Sequence, residues 1–96
     1  MYVIVWRFAV KREHVPDFAK HYGPEGTWAR FFRRSPKFDH TDLLANGTDF
    51  LTLDWWQSKA DFIAFERANH DEYRRIDRGF AEWTEREERI GDYEVR

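Results

Sequence analysis

The segment Tyr2 to Val10, reading YVIVWRFAV, is β-branched or aromatic along most of its length, which selects an extended strand over a helix. Neighbouring side chains on a strand point to opposite sides, so Tyr2, Ile4, Trp6, Phe8 and Val10 share one face. Val3 and Val5 lie on the other face until Arg7 interrupts them. A strand that is apolar on both sides has to be covered on both sides, and the rest of the chain must supply that cover.

A charged turn at Lys11 to Glu13 follows, and Pro16 suits the first turn of a helix that carries Val15, Phe18, Ala19 and Tyr22 at helical spacing. Gly23, Pro24 and Gly26 end that helix. Thr27 is placed to cap a short second one, which turns Trp28, Phe31 and Phe32 inward until Ser35 and Pro36 stop it. Phe38 to Ala45 and Phe50 to Gln57 read as strands joined by the turn signal Asn46-Gly47, hence an antiparallel hairpin. Ser58 and Asp61 form a capping box ahead of a long helical stripe through Phe62, Phe65, Asn69, Tyr73, Ile76, Phe80 and Trp83, with a break near Asn69 to Asp71. Thr84 and Glu87 resemble a second capping box and predict a final helical turn before a last short strand over Arg89 to Val95.

The resulting order is strand, helix, strand, strand, helix, strand. That is the split βαβ pattern of an α+β ferredoxin-like fold, with a four-stranded antiparallel sheet covered by helices on one face, in a single domain over residues 1–96. A domain of this size buries only about 60 to 65% of its unfolded surface. Aromatic residues nevertheless make up 19% of the chain. Rings in excess of one small core must line a cavity or a partner surface. The sheet's second face, with Val3 and Val5 beside either Leu51, Leu53 and Trp55 or Phe50 and Trp56, is most simply covered by a second copy, so a homodimer is expected.

Other classes are disfavoured. Sixteen basic against 18 acidic residues leave a net charge of −2, and the basic cluster Arg30, Arg33, Arg34 and Lys37 accompanies no nucleic-acid motif, so no nucleic-acid partner is expected. The chain has no cysteine, which removes disulfides, thiolate catalysis and zinc-thiolate sites. Its four histidines show no metal-ligand spacing, so no metal is expected. No signal sequence and no apolar run of about 18 residues is evident, which predicts a soluble cytoplasmic protein without a membrane partner.

Several segments, in order, resemble the antibiotic biosynthesis monooxygenase family of the dimeric α/β barrel superfamily. They are the opening strand, Tyr22-Gly23 followed by Gly26-Thr27-Trp28-Ala29, the stretch LTLDWWQSK at Leu51 to Lys59, and TEREERIGDY at Thr84 to Tyr93. The W-x-S element Trp56 to Ser58 is the most family-like of these. The resemblance implies a homodimer whose two sheets form a barrel, with a ligand cavity between sheet and helices in each subunit. Among members that are enzymes, it implies oxidation of aromatic polyketide phenols by O2 without flavin, haem or metal. It also implies that Trp56 is a site residue. The match is partial, because the aromatic-oxidising members have asparagine where this chain has Thr52 and tyrosine where it has Phe62. Haem-degrading relatives carry an axial histidine near the position of Arg75 here, so no haem and no other cofactor is expected.

The candidate catalytic residues are Trp56, Asp54, His70 and Tyr73. Asp54 shares a strand face with Trp56, and burial would raise its pKa and make it a proton acceptor. Trp55 points the opposite way, so one tryptophan of the pair should face the cavity and the other the dimer interface. His70 lies three residues before Tyr73 on the long helix, where a neutral imidazole beside a phenol would be a general base, or else a solvent-exposed histidine beside Asp71. Tyr22, Trp28, Thr52, Phe62 and Phe65 are the candidate substrate-binding residues. The function expected is a cofactor-independent monooxygenase acting on a small aromatic or polyketide-like compound. The alternatives are a non-catalytic dimeric domain binding a small hydrophobic ligand and a proton-transfer isomerase or cyclase.

Overall fold

The computed structural model describes all residues, 1–96. Strand β1 (Tyr2–Val10) lies in the interior of a four-stranded sheet ordered β2 (Phe38–Asn46), β3 (Asp49–Trp56), β1, β4 (Thr84–Glu94). Every neighbouring pair is antiparallel. Four α-helices, α1 (Val15–Tyr22), α2 (Thr27–Phe32), α3 (Lys59–Ala68) and α4 (His70–Phe80), complete the α+β ferredoxin-like fold. The rule that β1 reads as a two-sided strand holds in detail: Tyr2, Ile4, Phe8 and Val10 are buried in the core, and Val3 on the opposite face is also buried.

Local chemistry sets the joints. The hairpin β2–β3 turns through Gly47 and Thr48, with Asn46 paired to Asp49. Gly47 has φ 63°, the left-handed conformation that a two-residue hairpin loop asks of its first residue. At the start of α3 the Ser58 hydroxyl accepts from the Asp61 N–H at 3.1 Å and donates to Asp61 Oδ2 at 2.7 Å. Ser58→Ala should therefore cost about 1 kcal/mol, read as a lower midpoint in urea with an unchanged slope.

The long helical stripe divides at Asn69, as expected. The Asn69 side chain donates from Nδ2 to the Phe65 carbonyl at 2.9 Å, and its backbone N–H donates to the same oxygen at 3.0 Å. An asparagine that satisfies the last turn in this way competes with helix continuation. Helix α4 then restarts after the break, held to the turn that follows α2 by an ion pair between Arg34 and Glu72.

Two expectations fail at element ends. Gly26, not Thr27, occupies the N-cap of α2; the Thr27 hydroxyl instead lies 2.7 Å from His21 Nδ1, tying α1 to α2. The Thr84–Glu87 pattern caps no helix. Backbone pairing with β1 extends from Val10↔Thr84 through Phe8↔Glu87, so β4 begins at Thr84, and only a single 3-10 turn at Ala81–Trp83 precedes it. Sheet pairing along the free side of β1 outweighs one capping interaction.

The helices pack on the inner sheet face, where Phe8, Phe18, Tyr22, Trp28, Phe31, Phe32, Phe38, Phe50, Trp56 and Phe65 belong to one cluster. On the outer face Leu51, Leu53 and Trp55 are half-buried, while Leu44 and Tyr93 are exposed. Trp55 lies against His40 with ring planes 12° apart, and its N–H donates to Asp42 at 3.0 Å.

Candidate functional site

A cavity of about 110 Å³ opens between the inner sheet face and the helices. Strand alternation brings Trp6 and Phe8 of β1, Thr52 and Asp54 of β3, and Glu87 of β4 to the same side of the sheet. Register sets Trp6 opposite Thr52, Ile4 opposite Asp54 and Phe8 opposite Glu87. The helices close the space with Tyr22 from α1, Trp28 and Phe32 from α2, and Tyr73 and Asp77 from α4. Tyr73 and Asp77 are four residues apart, one helical turn, and so reach the same wall.

The central feature of this space is a carboxyl group among rings. Thr41, itself 2% exposed, donates to Asp54 Oδ1 at 2.6 Å from β2. The accessible surface that Asp54 keeps faces the cavity. Burial pushes its pKa from 3.8 to about 6, and the Thr41 hydrogen bond opposes that rise without cancelling it. Near neutral pH Asp54 is therefore mostly ionised but close enough to its pKa to take up a proton, the condition for a general base.

The tyrosines behave differently. Burial raises the Tyr73 hydroxyl well above its ordinary range, and the negative charge of Asp54 adds to the effect. Tyr22 is raised by burial too, with further contributions from Glu87 and Asp77, while the Trp28 N–H acts in the other direction. Both phenols stay protonated and serve as hydrogen-bond donors. Glu87 is raised by partial burial and by the charge of Asp77. Trp28 is 8% exposed, and its buried indole N–H, directed at the Tyr22 hydroxyl, falls short of a full hydrogen bond.

Of the residues expected from sequence, Asp54, Tyr73, Tyr22, Trp28 and Thr52 meet at the cavity. Four do not line it. Trp56 is fully buried behind the wall, with the rings of Phe38, Phe62, Phe65 and Phe32 at 5.2, 5.4, 5.4 and 5.5 Å. Phe62 and Phe65 belong to that cage. His70 sits on the exposed side of the α3–α4 joint, 2.8 Å from Glu66, because the break at Asn69 turns it outward. Trp6, Phe8, Phe32, Asp77 and Glu87 complete the lining without having been singled out. Asp77 was legible as the residue one turn beyond Tyr73; Glu87 was hidden by the misread start of β4.

The site has no set of three His, Cys, Asp or Glu side chains arranged to hold a metal ion. No helix is long and apolar enough to cross a membrane. No protein-family profile matches the sequence, and neither does any curated protein. Among solved structures, the chain is similar to a protein of Nitrosomonas europaea titled a candidate antibiotic biosynthesis monooxygenase, at 21% identity and TM-score 0.69 over 99% of this chain and 98% of the other. It is similar also to a conserved protein of Methanosarcina mazei Go1, at 15% identity and TM-score 0.71 over 99% of this chain and 92% of the other. At these identities the likeness is one of fold alone, the α+β ferredoxin-like architecture described above.

Proposed function

We propose that the chain is a monooxygenase that needs no bound cofactor and oxidises a small aromatic compound with O2, using Asp54 as the proton acceptor. The observation that carries this reading is a half-buried carboxylate, with a pKa raised to about 6, set deep in the wall of a cavity rich in aromatic rings. The substrate ring packs among Trp6, Trp28 and Tyr73, and Asp54 removes a proton from an acidic O–H or C–H. The resulting electron-rich anion reduces O2 itself. For an activated CH2, one oxygen atom ends in the new carbonyl, and the other leaves as water with the two hydrogens, so electrons balance. Tyr22 and Tyr73, held protonated, donate to the substrate oxygen. Thr52, opposite Trp6, supplies a further hydroxyl. Trp56 keeps the β3 end of the wall rigid without touching substrate.

Oxygen uptake with a panel of anthrones and of hydroquinones bearing neutral, anionic or cationic side arms tests the reading. Uptake above the uncatalysed rate that disappears in Asp54→Asn supports it; uptake no faster than without protein overturns it. A second reading is favoured by the same carboxylate, since one base suffices for an isomerase or cyclase. Product formed without O2 consumption would select it, and saturable binding with no product would select a non-catalytic carrier.

We also propose that the unit in solution is a homodimer formed through the outer sheet face. Leu44 and Tyr93 are 51% and 53% exposed there, beside the half-buried Leu51, Leu53 and Trp55, an apolar surface of the kind that a second copy covers. Light scattering across a dilution series should give twice the chain mass, and Leu53→Glu should give the chain mass. A monomer for the parent protein at every concentration removes the proposal.

A further inference from the structure

The cavity has a sign as well as a size. Three of its lining residues, Asp54, Asp77 and Glu87, carry carboxyl groups, and none is Lys, Arg or His. Arg89, whose charge reaches Tyr73, is engaged by Asp92 at 3.3 Å. The carboxyls come from β3, α4 and β4 and do not form a set able to ligate a metal ion. Asp77 and Glu87 are exposed at the mouth, whereas Asp54 lies deeper, between Thr41 and the cavity.

Such a field is awkward for a neutral phenol that must become an anion. The two tyrosine hydroxyls already present show the direction, since the carboxylates push both of them further from ionisation. A substrate that brings its own positive charge removes the difficulty, because an ammonium beside Asp77 and Glu87 cancels their field at the ring. The walls suit such a group, as indole and phenol faces attract organic cations.

Two further observations limit the ligand. An engineered apolar cavity of about 150 Å³ accommodates benzene. A space of about 110 Å³ is thus filled by one ring, and anything larger must extend through the mouth. The Tyr22 and Tyr73 hydroxyls, held protonated at the wall, are donors that call for an acceptor atom on the ring's occupant.

We infer that the cavity selects a single oxygen-bearing aromatic ring with a protonated amine on a short arm. The ring oxygen lies toward Tyr73 and Asp54, and the ammonium lies between Asp77 and Glu87. This names the substrate class of the proposed active site and rests on reading that cavity as a substrate site.

Three phenols of the same skeleton test it: tyramine, p-cresol and 4-hydroxyphenylacetate, cationic, neutral and anionic at their arms. Each is titrated into the 15N-labelled protein, with the Trp28 indole N–H resonance followed by NMR. Tyramine should bind at least about tenfold tighter than p-cresol, and 4-hydroxyphenylacetate should be the weakest. In the doubly substituted protein Asp77→Asn, Glu87→Gln, both exposed positions, tyramine should fall to the affinity of p-cresol with an unchanged circular dichroism spectrum. Equal or inverted preference, no shift of Trp28 with any of the three, or a tyramine preference that survives the double substitution would overturn the inference. Failure of the oxygenase reading looks different: tyramine then binds with the stated preference, but no ring-hydroxylated arylalkylamine supports oxygen uptake. Oxygen uptake with neutral hydroquinones and no charge preference would instead uphold the oxygenase and sink the amine.

Discussion

Asp54→Asn should give a protein that has lost turnover by about 100-fold or more and yet melts higher than its parent at pH 7 to 8. The activity loss follows from removal of the only carboxylate set deep in the cavity wall, since a positioned general base contributes about 10²- to 10⁴-fold. The gain in stability follows from linkage. In the folded protein the Asp54 pKa is raised from 3.8 to about 6. The folded state therefore binds the proton more tightly than the unfolded chain. Its favourable contribution is complete below the unfolded value and is lost as pH rises through the folded one. Above that window the parent carries the cost of a desolvated charge, on the order of 3 kcal/mol for a shift of this size. Asparagine is nearly isosteric, keeps an oxygen to accept from Thr41, and carries no charge. Thermal melts of the two proteins should diverge between pH 4 and pH 7, with the variant ahead at the higher pH. Parallel melts at all pH values would mean that Asp54 is ionised without cost and is unsuited to the role of a base.

Trp56→Ala should be the most destabilising single substitution in the chain, by about 3 to 5 kcal/mol out of a total of about 5 to 15. The side chain is 0% exposed and held by four phenylalanines from α2, β2 and α3, so its removal leaves a void bounded by rigid rings with little freedom to collapse. Its indole N–H is buried without an acceptor, a cost already present in the parent. Trp56→Phe removes that unmet donor together with some volume and should therefore cost less than half as much. Urea denaturation of both variants checks the pair. An alanine variant of near-parental stability with lost turnover would instead place Trp56 at the substrate.

The fold was legible because its strands carry signals that local chemistry alone can produce. β1 is a run of β-branched and aromatic residues, the β2–β3 turn is marked by Asn46-Gly47, and α3 by the Ser58 box. The last strand was misplaced because Thr84 to Glu88 is charged and looks like a helix start. Only its partner, β1, makes it a strand, and pairing across more than 70 residues leaves no local trace. The site divides along the same line. Asp54, Tyr22, Trp28 and Tyr73 follow from strand alternation and helical spacing, Thr52 from the family resemblance, and the structure brings all five to the cavity. Trp56 shares a face with Asp54, but α2 and α3 close over it, and His70 is swung away by the Asn69 break. Neither outcome is written in residue type.

The sheet's two outer strands, β2 and β4, leave unpaired backbone groups along their free edges, the usual starting point for runaway association of extended chains. Here the hazard is countered in the strands themselves. β4 presents Glu85, Arg86, Glu87, Glu88 and Arg89 and skips Ile90 and Glu85 in its pairing, while β2 skips Asp39. Each skipped residue kinks the edge, and the charges resist desolvation by an approaching strand. Growth of the sheet edge to edge into fibres is thereby disfavoured, whatever the number of rings the chain carries.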